Sequence, residues 1–228
     1  MKYVIMCGGH YEQFIVPRQL LKCCGERIVD RTIRLLEKCG VKREDIEIST
    51  ENPVFESCGV QLLYNKKNYY EVSPTGNIDD GYWVNCFART EAPTTYLFGD
   101  VFYSEDCIKQ IVEAETTDII FFSTAKPFAR NYVKSHVEPL AFKVYDWRRF
   151  YGAIEDCKRL YDAGKFWRHP IAFDVWAVLK GLPTEIDVFK KQTADVFGEG
   201  FHAIYDYTCD VDRISDIQAI EKALNYRP

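Results

Sequence analysis

The residues of this chain whose types and spacing could do chemistry are Asp100, the alternating carboxylates Asp210 and Asp212, and a glycine turn at Gly8-Gly9. Asp100 ends the run Tyr96-Leu97-Phe98-Gly99-Asp100. A carboxylate released from an apolar strand by a glycine suits a hard cation, since Mg²⁺ takes one or two carboxylates together with phosphate oxygens and water. The same residue could simply open a turn ahead of a helix capped by Ser104. In Asp210-Val211-Asp212 an extended backbone puts both carboxylates on one side. The alternative there is Asp212 as an N-cap with Asp216 as first-turn charge. The N-terminal run Tyr3-Val4-Ile5-Met6-Cys7 leads into Gly8-Gly9. Glycines let the backbone approach an anion closely, and peptide N–H groups can point at it.

Strand-like and helical runs alternate around these residues. Strands are expected at 2–7, 45–49, 60–64, 94–98, 119–122, 140–145 and 204–207. Helices are expected at 26–39, 79–89, after Ser104, at 147–163 and at 214–224. Val29, Ile33 and Leu36 share one helix face, and Gly40 sits where a C-cap glycine belongs. Ile119-Ile120-Phe121-Phe122 reads as a strand covered on both faces. Repeated β-α alternation implies a mostly parallel sheet with helices on both sides, three α/β/α layers in all. Ligands of such sheets sit beyond the C-terminal ends of the strands. Both Gly8-Gly9 and Asp100 directly follow a strand, so they belong on one edge.

The 228 residues suffice for one large core, and no linker or repeat divides them, so a single domain over 1–228 is expected. A net charge of -5 gives no footing for non-specific nucleic-acid binding. No apolar run reaches membrane length and no signal peptide is evident, which points to the cytoplasm. The nine cysteines are odd in number and include no C-x-x-C pair. Structural zinc is therefore not expected, and Cys23-Cys24 reads as buried reduced thiols before it reads as a reactive pair.

In their order and separation these motifs resemble the nucleotidyltransferases of the GT-A-like, Rossmann-like fold, the sugar-phosphate and cytidylyl transferases. Gly8-Gly9, Pro17-Arg18, Gly25-Glu26-Arg27-Ile28-Val29, Gly99-Asp100 and Asp212-Arg213-Ile214-Ser215-Asp216 carry the likeness. The resemblance implies transfer of a nucleoside monophosphate from a triphosphate to a phosphorylated small-molecule acceptor. It implies Mg²⁺ held by Asp100 and Asp212, with phosphates cradled near Cys7, Gly8 and Gly9. Arg18 replaces the family's usual lysine as the cation for departing pyrophosphate, and an arginine can bind phosphate bidentately. The loop arginine common in the family is missing, since His10-Tyr11-Glu12 follows Gly9. The compact Met6-Cys7-Gly8-Gly9 start and the short chain look most like cytidylyltransferases of surface-polysaccharide and capsule pathways, those acting on phosphocholine or phosphoglutamine. CTP is the donor so implied.

Three further segments bear on substrate. Asn77-Ile78-Asp79-Asp80 could start a helix beside base or ribose, with Asp80 toward the nucleotide, or could be ordinary capping. The stretch from Lys126 to Lys134 could supply cations over the substrate or be a solvated loop. The segment Glu138 to Lys143 matches a strand that family members run under the acceptor, which makes Glu138 and Lys143 acceptor candidates. Arg168, among Phe166, Trp167 and His169, is another, although aromatics there are also suited to core or dimer contacts. Two rival functions stand against this reading. A GT-A glycosyltransferase would show Asp-x-Asp after the central strand, where Phe98-Gly99-Asp100 has one aspartate. A non-catalytic nucleotide-binding module would not need two metal carboxylates.

Overall fold

A computed structural model describes residues 1–8, 16–64, 82–182 and 193–227. Seven strands form the central sheet. They are β1 (Lys2–Met6), β4 (Ile46–Thr50), β5 (Gln61–Tyr64), β6 (Thr94–Phe98), β8 (Ile119–Thr124), β9 (Pro139–Val144) and β10 (Phe201–Ile204). Their spatial order is β10-β8-β9-β6-β1-β4-β5. All adjacent pairs are parallel except those of β9, which runs against both β6 and β8. The C-terminal ends of the other six strands therefore share one edge, and β9 alone begins there.

The period of two along each strand sorts the helices into layers. Phe121, Phe142 and Tyr96 lie in register on one face. They meet Phe150 of α3 (Trp147–Asp162) and Trp176 of α4 (Ala172–Lys180). Lys143, one residue along β9, points to the other face and reaches the end of α2 (Glu105–Glu113). There α2 packs beside α1 (Ile28–Lys38), with Lys38 on Glu105 and Arg31 Nε donating to Tyr103 O. Helices cover both faces, as the alternation implied.

Two small ribbons were not legible in advance. A hairpin joins β2 (Lys22–Cys23) to β3 (Glu26–Arg27). An antiparallel pair joins β7 (Val101–Phe102) to β11 (Cys209–Asp210). Cys23, Ile28, Phe102, Cys209, Val211, Ile217 and Ile220 form a second core beneath them, against α5 (Ile214–Ala223).

Two element expectations are corrected. Of the helix expected at 79–89, residues 79–81 lie outside the described set, and the rest holds only a 3₁₀ turn, Trp83–Cys86. Phe87 inserts edge-on among Tyr96, Phe98, Phe142 and Phe150. Side-chain hydroxyls then pair the backbone where the segment leaves this turn. Tyr96 and Tyr151 Oη both donate to Ala88 O, at 2.7 and 2.8 Å, and Thr90 N donates to Tyr151 Oη. The late strand runs at Phe201–Ile204 rather than 204–207. Asp206 turns the chain by accepting from Thr208 N and from Ser104 Oγ.

Candidate active site

At the C-terminal edge of the sheet the ends of β1, β4 and β6 are laced together. Gly99 N donates to Met6 O, Cys7 N to Ser49 O, and Thr50 Oγ1 to Cys7 O. Gly99 is required by crowding. A Cβ there would lie 2.6 Å from both Met6 O and Cys7 Sγ. The chain can thus leave β6 flush against β1 and present Asp100 at the strand ends. Cys7 does not keep the role its sequence position suggested. Its amide is spent on β4, and burial pushes its thiol up, so any phosphate cradle begins at Gly8. Gly9 and Asp80 lie outside the described residues.

The β7–β11 ribbon brings the far end of the chain to Asp100. Asp210 pairs with Val101, and Val211 N donates to Asp100 O at 2.9 Å. Arg18 opens a 3₁₀ turn, Arg18–Leu20, after Pro17. Its Nη2 pairs with Asp100 Oδ2, and its Nη1 donates to Asp212 Oδ1 at 2.7 Å. One guanidinium thus joins carboxylates from the middle and the end of the sequence.

A second cation sits on the other side of Asp212. Lys134 Nζ lies 3.0 Å from Asp210 Oδ1, 3.1 Å from Asp212 Oδ2 and 3.0 Å from Asp216 Oδ2. Asp210 and Asp212 therefore do share a side. Asp212 is not an N-cap. Arg213 holds that position, and Asp216 Oδ2 accepts from Asp212 N and Arg213 N. Glu138 completes the cluster. One carboxylate oxygen each from Glu138, Asp210 and Asp212 lie within 4.8 Å of one another, and His136 Nε2 is 2.5 Å from Glu138 Oε1.

Four carboxyl groups converge on two permanent cations with Glu138 beside them, and their charge states separate accordingly. Burial, reinforced by the Glu138, Asp212 and Asp100 carboxylates and opposed by Lys134, pushes Asp210 up to about 9. Burial also works against the charge of Asp212. There Lys134, a hydrogen bond from Asp210 and Arg18 outweigh it and hold that carboxyl below its usual range. Burial works against the Lys134 ammonium too, and Asp210 and Asp212 overcome it. The hydrogen bond to Glu138 raises His136 despite its partial burial.

The fit to a divalent cation follows from the same geometry. Asp100 and Asp212 stand close enough to share one cationic group, Arg18, and the all-oxygen donor set with excess negative charge suits Mg²⁺.

The acceptor candidates divide. Glu138 sits at the start of β9 on the site edge, inside the carboxyl cluster. Lys143 is at the opposite edge, because β9 runs antiparallel. Its buried Nζ donates to Ile111 O and Val112 O and closes the C-terminal end of α2, which corrects its placement as an acceptor ligand. Arg168 Nη1 donates to His169 O and pairs with Asp174, bracing the start of α4. No contact among the described residues joins it to the carboxyl cluster. Lys134 and His136 were not singled out from sequence. The stretch from Lys126 offered several cations with no local signal to choose among them.

No family model matches the chain, and no curated protein matches it. Solved structures do. A CTP:phosphocholine cytidylyltransferase from Streptococcus pneumoniae is 16% identical, with TM-score 0.54, and the match covers 98% of both chains. An inositol-1-phosphate CTP transferase from T. maritima is 15% identical, with TM-score 0.53, over 97% of this chain and 95% of that one. A putative glucose-1-phosphate thymidylyltransferase from Bacillus anthracis is 14% identical, with TM-score 0.52, over 100% and 96%. The chain has the Rossmann-like fold of these nucleotidyltransferases along nearly its whole length. Among the described residues no helix is long and apolar enough to cross a membrane.

Proposed function

We propose that this chain is a nucleotidyltransferase. It moves a nucleoside monophosphate, with CTP as the favoured donor, onto a phosphorylated small-molecule acceptor and releases pyrophosphate. The observation that carries the reading is the convergence of Arg18, Asp100 and Asp212 at the strand-end edge of a fold shared with such enzymes. A triphosphate donor needs cations and oriented donors at that edge, and a divalent ion needs the carboxylates.

Asp100 and Asp212 are the residues assigned to hold Mg²⁺, which when bound supplies charge stabilisation at the α-phosphate. The amides of Gly8 and Gly9 cradle the phosphates. Arg18 neutralises charge on departing pyrophosphate, with two N–H groups that already address carboxylate oxygens in this structure. Lys134 keeps Asp212 ionised and fixes it relative to Asp216. Asp80 is assigned to the nucleotide, and Glu138 and Arg168 to the acceptor side. Catalysis on this reading is positioning and electrostatics, with no covalent intermediate. A cytoplasmic role in making surface-polysaccharide or capsule precursors, by a monomer or a homodimer, belongs to the same proposal.

The test is pyrophosphate release with Mg²⁺ and each of CTP, UTP, GTP and ATP against a panel of phosphorylated acceptors. Release with one donor and one acceptor is expected, and Asp100→Asn is expected to lose at least about 100-fold in turnover with its fold intact. A fully active Asp100→Asn protein would refute the metal assignment. Silence across the panel with nucleotide still bound would favour a glycosyltransferase or a binding module.

A further inference from the structure

The hairpin that follows Arg18 carries an arrangement the proposed reaction does not use. Cys23 ends β2, and Cys24-Gly25 form the two-residue turn into β3, with Cys23 paired to Glu26. Both turn residues have positive φ, 53° at Cys24 and 82° at Gly25. A two-residue hairpin turn of that kind is type I′, whose first position strongly favours Asn or Asp. Cysteine gains nothing from the left-handed region and pays steric strain there. Among the described residues the only other non-glycine in that region is Asn225, a residue type suited to it.

The left-handed turn has a geometric result. In an extended strand neighbouring side chains point to opposite faces. Here the Cys23 and Cys24 sulfurs instead converge, and a carboxylate oxygen of Glu221 joins them. All three ligand atoms lie within 4.8 Å of one another. Glu221 projects from the last turn of α5, and its Oε1 accepts from Cys24 N at 2.9 Å, which fixes the carboxylate over the turn. Gly25 is held from the other side by Tyr226, whose Oη would be 2.6 Å from a Cβ at that position. Cys23 is fully buried, while Cys24 is partly open to solvent, giving an ion a way in.

We propose that Cys23, Cys24 and Glu221 form a binding site for a thiophilic divalent cation of the zinc type, separate from the carboxyl cluster. Two thiolates and one carboxylate are a donor set zinc accepts, and they leave a fourth tetrahedral position for water. Tetrahedral Zn–S bonds of about 2.3 Å set two sulfurs about 3.8 Å apart, inside the 4.8 Å within which these ligand atoms lie. Both thiols are held protonated by burial, so binding releases two protons as the two Zn–S bonds form. The ion would clamp the hairpin, which begins four residues after the Arg18 turn opens, onto the helix that follows Asp212.

The test is Zn²⁺ binding to the reduced protein, by competition with a chromophoric chelator and by metal content after gel filtration. One ion per chain is expected. Cys24→Asn supplies the residue type the turn prefers, so it should raise the thermal midpoint by roughly 1–3 °C while weakening zinc at least about 100-fold. Cys24→Ser, which leaves the turn preference little changed, should weaken zinc as much. Glu221→Gln should weaken it at least about tenfold. Cys39→Ser and Asp212→Asn should bind as the parent does. Zinc binding that survives Cys24→Asn and Cys24→Ser, or is lost in Asp212→Asn instead, overturns the site, as does a reduced parent chain that retains no zinc.

Discussion

Gly99→Ala tests directly whether strand packing sets the site. The added Cβ would stand 2.6 Å from Met6 O, a main-chain atom, and 2.6 Å from Cys7 Sγ. Relief to ordinary contact at 3.4 Å takes about 0.8 Å or more, and neither neighbour can rotate away cheaply. Met6 O is fixed in the sheet and accepts from Gly99 N at 3.0 Å, and the Cys7 side chain is buried. Overpacking of this kind costs about 1–3 kcal/mol. In a domain of this size that lowers the melting temperature by roughly 2–12 °C. The displacement also falls on the residue before Asp100, and misplacement by even a fraction of an ångström at a reacting centre is expensive, about 100-fold for 1 Å. Gly152→Ala is the opposing control. Gly152 lies inside α3 with no atom within 4 Å of its added Cβ. That change should stabilise by about 0.5–1 kcal/mol and leave turnover alone. Thermal melts and pyrophosphate release on both variants decide the matter. A Gly99→Ala protein with parental melting temperature and turnover would show that the close approach of β6 to β1 does not position Asp100.

Other expectations follow from the charge cluster and its surroundings. Lys134→Met removes the cation shared by Asp210, Asp212 and Asp216 and should cost about 3 kcal/mol in urea unfolding at neutral pH; a loss under about 1 kcal/mol would mean the carboxyl groups rearrange or protonate at little cost. Asp210, pushed up to about 9 by burial first and then by Glu138, Asp212 and Asp100, binds more protons folded than unfolded between about pH 4 and 9. Stability should therefore fall as pH rises through that window, by at most about 1.4 kcal/mol per pH unit, and Asp210→Asn should flatten the profile. Superimposable profiles for the two proteins would contradict that assignment. Lys143→Met should lower stability by about 1–3 kcal/mol through loss of its hydrogen bonds to the α2 carbonyls, with acceptor KM unchanged; a large rise in KM would return Lys143 to the site.

Much of the architecture was legible because it rests on local periodicity. The apolar strands, the helix face of Val29, Ile33 and Leu36, and the Ser104 cap are each set by residues within one or two turns. The helix expected at 79–89 gave way because Phe87 is drawn in edge-on among Tyr96, Phe98, Phe142 and Phe150, none of which lies in the segment itself. The turn at Cys24-Gly25 was missed for a related reason. Its conformation is held by Glu221, 197 positions away, and cysteine is a poor advertisement for a left-handed residue.

The sequence alone determined that glycine-led acidic and phosphate-type motifs follow strands, and hence that they share the C-terminal edge of a mostly parallel sheet. It also offered Asp210 and Asp212 on one side of an extended chain, against Asp212 as an N-cap, and the contacts of both with Lys134 decided between the two. Only the tertiary structure decided which residues meet. Arg18 and Asp212 are 194 positions apart and touch because the β7–β11 ribbon pairs Asp210 with Val101. Lys134 and Lys143 are the same residue type, nine positions apart, in one stretch of chain. The first lies in the carboxyl cluster and the second caps a helix at the far edge, because β9 between them runs antiparallel and carries the chain from one edge of the sheet to the other.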